Sequence, residues 1–281
     1  MFKLKSSIAV NCLVCNGLKD GKYRYKFSSD FKHNLSEVKR VGFDAVTIDV
    51  CGMAYAPIFE KYSVKACKMA KKAGLQIETI HLPFNALWVD LCSPWEADRE
   101  EIIKWVVKVC KRLERFGVRA FVMHPGCPKC DEQTRGKWVD KLADSAERIA
   151  KQLNSYFCVE NMVQGALLNT AKKHKEFVDK APSAYAVVDV NHFLLDKPED
   201  ALLKLGNRIK AVHISDYDFV YERHMLPGEG QIDWMKVIGA LEQIGFDGAF
   251  NLELRMELGY TFKQAKERVD ELFDKYNSYK S

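Results

Sequence analysis

Long hydrophobic runs are absent from this chain. Nowhere in its 281 residues do about 18 apolar residues follow one another, so no segment reads as a spanning helix. The opening MFKLKSSIAV has neither the apolar length nor the cleavage pattern of a secretory signal. A soluble, cytoplasmic protein with no membrane partner is expected. A strong charge of either sign is lacking as well: 43 lysines and arginines against 38 acids leave a net +5. The lysines are spread along helix-like segments as solvated faces, and this balance does not nominate nucleic acid as a partner. Nine cysteines make an odd count without secretory context, which favours reduced thiols over a disulfide framework. Two C-x-x-C pairs occur, Cys12/Cys15 and Cys127/Cys130, but neither has the partner spacing of a zinc finger or ribbon.

Low-complexity linkers and breaks in composition are also missing, so residues 1–281 read as a single domain. What fills the chain is alternation. Short β-branched or apolar runs take turns with amphipathic helical segments such as LSEVKRVG, SVKACKMAKKAG, EADREEIIKWVVKVCKRLERFG and DKLADSAERIAKQL, several closing on a glycine suited to a helix C-terminus. The strand-like runs are 6–14, 45–50, 76–84, 119–126, 156–162, 184–192, 209–218 and 248–255. Eight such units in a chain of this length predict an α/β fold, a single (β/α)8 TIM barrel. An open doubly wound sheet is the alternative, disfavoured because no G-x-G-x-x-G turn follows the first strand.

The ionisable residues collect in one register. Asp49, His81, His124, Glu160, Asp189, His192, His213 and Glu253 each fall at or near the C-terminal end of a predicted strand. In a closed parallel barrel those ends converge on one mouth. With His224 counted, five of the seven histidines are there, while His33 and His174 fall in helix-like or surface segments. A lone buried histidine is most simply a satisfied core residue. Several carboxylates are not, because carboxylates are rarely buried unless paired or bound to metal. Glu160, Asp189 and Glu253 would crowd with His213 into one pocket, and a divalent cation relieves that repulsion. Mixed oxygen and imidazole donors suit Mn²⁺, Mg²⁺, Co²⁺ or Zn²⁺.

The motifs HPG, VEN, VVDVNH, VHISD, ERHMLPGEGQIDW and NLEL together resemble those of the xylose-isomerase-like barrels. This is the sugar phosphate isomerase/epimerase group, which includes ketose 3-epimerases and endonuclease IV. The resemblance to the ketose 3-epimerases implies a divalent metal, most simply Mn²⁺, held by Glu160, Asp189, His213 and Glu253. It also implies that Glu160 and Glu253 act as acid and base: one removes a proton beside a sugar carbonyl and the other returns one on the opposite face. The metal would polarise the carbonyl oxygen and stabilise the enediolate. His192 resembles the family's contact to a substrate hydroxyl. The partner implied is a small carbohydrate, phosphorylated or not, and a homo-oligomer is compatible with it.

The stretch YERHMLPGEG (221–230) carries a second set of implications. In endonuclease IV the matching segment bears an aspartate and a histidine two apart, both ligands of a three-zinc cluster; Glu222 and His224 occupy that pattern with glutamate for aspartate. His81 and His124 match two more of its zinc ligands. GEGQIDW is nearer the sugar-active relatives, so one principal metal is expected, with Glu222 and His224 touching substrate or a second ion. An abasic-site nuclease and a keto-sugar dehydratase or lyase stand as alternatives to the epimerase.

Other residues leave readings open. Arg255, two beyond Glu253, shares its face and is placed either to grip an anionic substrate group or to pair with a ligand carboxylate. Asp216 is a candidate for orienting an imidazole. Trp88 and Trp95 read either as sugar-stacking rings or as anchors for the long third helix. KDGKYRYKFSSD (19–30), alternating basic and aromatic residues, reads as a nucleic-acid patch, a lid or an edge hairpin.

Overall fold

The computed structural model describes residues 1–19, 22–50, 56–84, 89–126, 131–163, 166–193 and 195–280; for 15–19 and 22–24 it describes the backbone alone. The chain runs through β1 (Ser6–Asn11), β2 (Leu13–Lys19), β3 (Lys22–Phe27), α1 (Phe31–Arg40), β4 (Ala45–Asp49), α2 (Ala56–Lys72), β5 (Gln76–His81) and α3 (Glu96–Glu114). It continues through β6 (Val118–Met123), α4 (Arg135–Ala150), β7 (Tyr156–Glu160), α5 (Ala171–Lys180), β8 (Tyr185–Asp189) and α6 (Pro198–Leu205). Last come β9 (Ile209–His213), α7 (Trp234–Gln243), β10 (Phe250–Leu252) and α8 (Phe262–Lys280).

Eight strands pair in parallel in the order β10-β1-β4-β5-β6-β7-β8-β9. The ring is completed by a parallel bridge between Ile214 and Leu252, in which Ile214 N donates to Asn251 O at 2.8 Å and Glu253 N to Ile214 O at 3.0 Å. The fold is thus the (β/α)8 barrel that the alternation predicts. Its helices form because their apolar residues recur on one face: Phe31, Leu35 and Val38 bury one stripe of α1, and Val139, Leu142, Ala146 and Ile149 one stripe of α4. Helix ends are marked chemically. Thr170 caps α5 by accepting from Lys173 N, α3 starts with Glu96 and Asp98 and finishes with Lys111 and Arg112, and Gly74 turns left-handed after α2.

The strand boundaries differ from the sequence reading. The run 6–14 is not one strand: β1 stops at Asn11, and Leu13 begins an antiparallel hairpin, β2–β3, paired from Leu13↔Phe27 to Lys19↔Lys22. Of the three readings of 19–30, the backbone is that of a hairpin. Its base is anchored where the Phe27 ring packs 5.4 Å from Phe31 and 5.5 Å from Tyr62, with Lys65 Nζ 3.8 Å above it. The other strands end one to five residues before the sequence runs do, because the pattern of those runs continues beyond the last ladder pair. Val190–His192, for instance, is a 3₁₀ turn. Trp88, Cys127 and Cys130 lie outside the described residues. Trp95 is 71% exposed just before α3, so its ring does not anchor that helix. Among the described residues no helix is long and apolar enough to cross a membrane.

Candidate metal centre and active site

Strand alternation builds the mouth. Side chains two apart share a face, and Val122, Cys158, Val187 and Ala211 form a buried cluster inside the barrel. Two residues further along the same strands stand His124, Glu160, Asp189 and His213. Thr47, Thr79 and Asn251 form a polar part of the lower layer, with Thr47 Oγ1 2.7 Å from Thr79 Oγ1 and donating to Asn251 Oδ1 at 2.9 Å. Above them come Asp49, His81 and Glu253. A packed layer therefore floors a layer of ionisable groups.

Four of those groups converge. Donor atoms of Glu160, Asp189, His213 and Glu253 lie within 4.8 Å of one another. His213 Nδ1 stands 2.9 Å from Glu160 Oε1 and 2.6 Å from Glu253 Oε2, yet one ring nitrogen carries at most one hydrogen to share. Glu253 Oε2 and Asp189 Oδ2 are buried without a hydrogen-bond donor. Such close, under-satisfied donors arranged round a common point fit a divalent ion, and their oxygen and imidazole chemistry suits Mn²⁺, Mg²⁺, Co²⁺ or Zn²⁺. The electrostatics are mutual. Burial works against charge on all four, but His213 holds the Glu160 carboxyl well below the usual range and that of Glu253 down to about 2, while the two glutamates push His213 well up. Asp189 has no such full compensation, and burial raises it to about 6.

Two further donor groups share a residue with this one: His81, His124 and Glu160, and Asp189, His192 and His224. His81 Nε2 is 3.2 Å and His124 Nε2 3.5 Å from Glu160 Oε2. His192 Nε2 is 3.3 Å from Asp189 Oδ2 and 3.6 Å from Glu222 Oε1. Three of these imidazoles use Nδ1–H on a backbone carbonyl: His81 to Leu82 at 2.8 Å, His192 to Asn161 at 2.8 Å and His224 to Glu253 at 3.0 Å. That arrangement turns each Nε2 towards the mouth, the orientation that metal-ligating histidines adopt. Burial drives His124 down to about 3, so it is a neutral ring, whereas Asp189 overcomes burial and lifts His192 to about 10.

The stretch 221–230 owes its shape to Asp216, which has no hydrogen bond to an imidazole and so does not fill the orienting role expected of it. Its buried carboxylate accepts from the backbone of Tyr217, Gly228 and Ile232 and from Trp234 Nε1, at 2.7 to 3.1 Å. A Cβ on Gly230 would run into Asp216 and Tyr217. Folded in this way, the loop places His224 Nε2 2.7 Å from Glu222 Oε1, and His224 takes a left-handed φ of 51°. Non-glycine residues avoid that conformation, and it gathers at functional sites. Glu222 raises His224 to about 9 against the effect of burial; hydrogen bonds from His192 and His224 lower Glu222.

Two site residues were not singled out in the sequence. Phe84 stacks on His124 at 4.5 Å and meets His81 edge-on at 4.6 Å, roofing that pair. Asn161 spans two strand ends, donating to Asp189 O at 2.9 Å and accepting from Asp189 N at 2.8 Å. Its position next to Glu160 in VEN was the available signal. Arg255 is exposed at the rim, and its guanidinium makes no ion pair with any described residue, so the carboxylate pairing considered for it does not form.

A barrel closed by β9 and β10, with this donor set on its last four strands, is the setting in which comparison with known proteins becomes informative. The model of the xylose isomerase-like TIM barrel family matches residues 35–274. The chain belongs to that family. Among curated relatives, D-psicose 3-epimerase of Ruminiclostridium cellulolyticum is 23% identical over 260 residues, covering 88% of this chain and 85% of the relative. Fructoselysine 3-epimerase of Shigella flexneri is 20% identical over 238 residues, 79% and 84% of the two chains. The family fold recurs in the crystal structure of D-psicose 3-epimerase with D-tagatose from Clostridium cellulolyticum, with a TM-score of 0.72 at 17% identity over 98% and 99% of the chains. It recurs also in 3-keto-D-glucoside 4-epimerase from E. coli, with a TM-score of 0.71 at 16% identity over 97% and 100%.

Proposed function

We propose that the chain is a divalent-metal-dependent epimerase or isomerase of a sugar, sugar phosphate or keto-sugar derivative. The observation that carries this reading is the convergence of two carboxylates, Glu160 from β7 and Glu253 from the end of β10, on one nitrogen of His213 within a single donor set. Family membership and the sugar epimerases among the relatives support it. Glu160, Asp189, His213 and Glu253 would hold the ion, which supplies positive charge beside the substrate carbonyl.

The work of the protein's own groups then follows from geometry. Both glutamates are held as carboxylates, the form a base must take. The one acting as base withdraws a proton from the carbon next to the carbonyl and becomes a carboxylic acid; the other, having first taken a proton from solvent, delivers it to the opposite face, inverting the centre. His192 and the Glu222–His224 pair stand where sugar hydroxyls would be oriented. Phe84 and the buried layer beneath keep the site poor in water. Proton removal of the same kind would also start an elimination, so a dehydratase or lyase outcome shares these first steps.

A second reading has an observation of its own. Three overlapping donor groups, with Nδ1–H tied down on His81, His192 and His224, are what a polynuclear, nuclease-like centre needs. It ranks second because the curated relatives named above are epimerases. The deciding experiment incubates the metal-loaded protein with a panel of ketoses in D₂O and, separately, with an abasic-site duplex. Deuterium appearing beside the ketose carbonyl supports the first reading. Strand cleavage without exchange replaces it with the second.

A further inference from the structure

A cavity of about 410 Å³ opens from Glu253, Glu222 and His224 towards the β1 and β4 side of the mouth, reaching Asn34 on α1 and Phe262 at the start of α8. Arg255 lies on its wall. The backbone of Arg255 is fixed on both sides: its N–H donates to His224 O at 3.0 Å, and its carbonyl accepts from Leu258 N at 3.0 Å. Its guanidinium is unspent. Several other arginine forks are matched: Arg40 to Glu37, Arg148 to Glu100, Arg223 to Asp218, and Arg208 to four carbonyls. Arg255 has no carboxylate or carbonyl partner among the described residues. An arginine presents five donors in a plane and no acceptor, a shape that matches a carboxylate or phosphate in bidentate fashion.

We propose that Arg255 is a specificity-determining residue, selecting substrates with a terminal oxyanion, carboxylate or phosphate, on the part of the molecule remote from the carbonyl. This rests on the sugar-epimerase reading for the identity of the substrate but not for the existence of the subsite. The direction of the cavity, from Glu253 towards Asn34 and Phe262, is the reason for placing the anion at the remote end. Glu253 is two residues back along the chain, and the cavity leads away from the donor quartet. The other charged residues on the cavity wall are the acids Asp49, Glu222, Glu253 and Glu257 and the imidazole of His224, whose charge is already taken up by Glu222 at 2.7 Å. The acids disfavour an anion along most of the wall, and of the two cationic groups only the Arg255 fork has no acidic partner, which narrows where an anion can sit.

The test uses polyols that lack a carbonyl and cannot react. Calorimetry of Mn²⁺-loaded protein compares a neutral hexitol, a hexonate and a hexitol 6-phosphate. One of the two anions should bind roughly ten- to a hundredfold more tightly than the hexitol, the range for a charge-assisted hydrogen bond; which of them does so separates a sugar acid from a sugar phosphate. Arg255→Gln should erase that preference, and Arg255→Lys should recover only part of it, since an ammonium keeps the charge without the fork. The proposal is overturned if neither anion outbinds the hexitol, if no polyol binds, or if the preference survives Arg255→Gln. Arg255-dependent anion binding without deuterium exchange in any ketose would instead remove the epimerase reading and leave the subsite standing.

Discussion

Glu160 on β7 and His213 on β9 face each other at 2.9 Å across the intervening strand, whose Asp189 completes the same cluster. Each shifts the other towards its charged form, so the carboxylate is kept ready to accept a proton although it is fully buried. Glu160→Gln and Glu253→Gln should therefore each lower turnover by about 10² to 10⁴ with the circular dichroism spectrum unchanged, because the mouth of a barrel contributes little to its stability. Turnover above a few per cent of wild type in either variant would remove the acid/base roles.

Ion binding is a separate expectation. Exhaustive chelation should abolish activity, and Mn²⁺ or Co²⁺ should restore it; metal per chain by elemental analysis should be near one for the epimerase reading and near three for the polynuclear one. Full activity in protein verified to be metal-free would end both.

Asp216 makes the strongest stability case outside the core. Four donors, three from backbone and one from Trp234, end on its buried carboxylate. Asp216→Ala leaves them unsatisfied and should cost on the order of 3 kcal/mol, with activity falling too because the loop carrying His224 loses its tether. A change in urea midpoint corresponding to under about 0.5 kcal/mol, the usual scale of a surface substitution, would contradict this.

The eight strands were legible because alternation and βα spacing are local. So was the register of the mouth, because the pleat puts Glu160 above Cys158 and His213 above Ala211 whatever the rest of the chain does. Strand ends were not legible. In VVDVNH the apolar pattern continues, yet Asp189 Oδ1 accepts from Asn191 N at 2.7 Å and starts a turn. Asp216 was misread for a related reason. An acid three residues after a histidine looks like its partner, while three of its four donors come from 228–234 and only tertiary folding brings them in. The left-handed φ of His224 has no sequence marker, since the preference it defies is the marker.

Acid should act through His174. It is fully buried on α5, its Nε2–H donating to Val159 O at 3.0 Å, and burial lowers it to about 4. The unfolded value is about 6.5, so the fold favours the neutral ring. The stability it contributes is fully present above pH ~6.5 and is lost as pH falls towards 4, to a total of about 3 kcal/mol. His174→Gln keeps an N–H for Val159 and does not titrate. Between pH 7 and pH 4 the wild type should lose more stability to urea than the variant, while the mouth histidines affect both alike. Parallel losses would show that His174 is not the acid-sensitive group.

The last prediction concerns the Glu222–His224 pair. His224 is held by three contacts: Nε2 to Glu222 at 2.7 Å, and Nδ1 to Glu253 O at 3.0 Å and Ser215 Oγ at 3.3 Å. Glu160, Asp189, His213 and Glu253 form a donor set that does not include it. If one principal ion is held by those four, His224→Ala should leave a tightly bound metal in place. Activity should still fall by about 10² or more, since a group orienting the substrate has been removed and Glu222 loses one of the two imidazoles that hold its carboxylate in place. The variant also relieves a strained left-handed residue only in part, because alanine avoids that conformation too. Stability should therefore change little, which keeps the readout on the chemistry. Loss of a stoichiometric ion from His224→Ala would make the residue a metal ligand and favour the polynuclear centre. Unchanged metal content together with unchanged activity would mean that the loop shapes the rim and takes no part in the reaction.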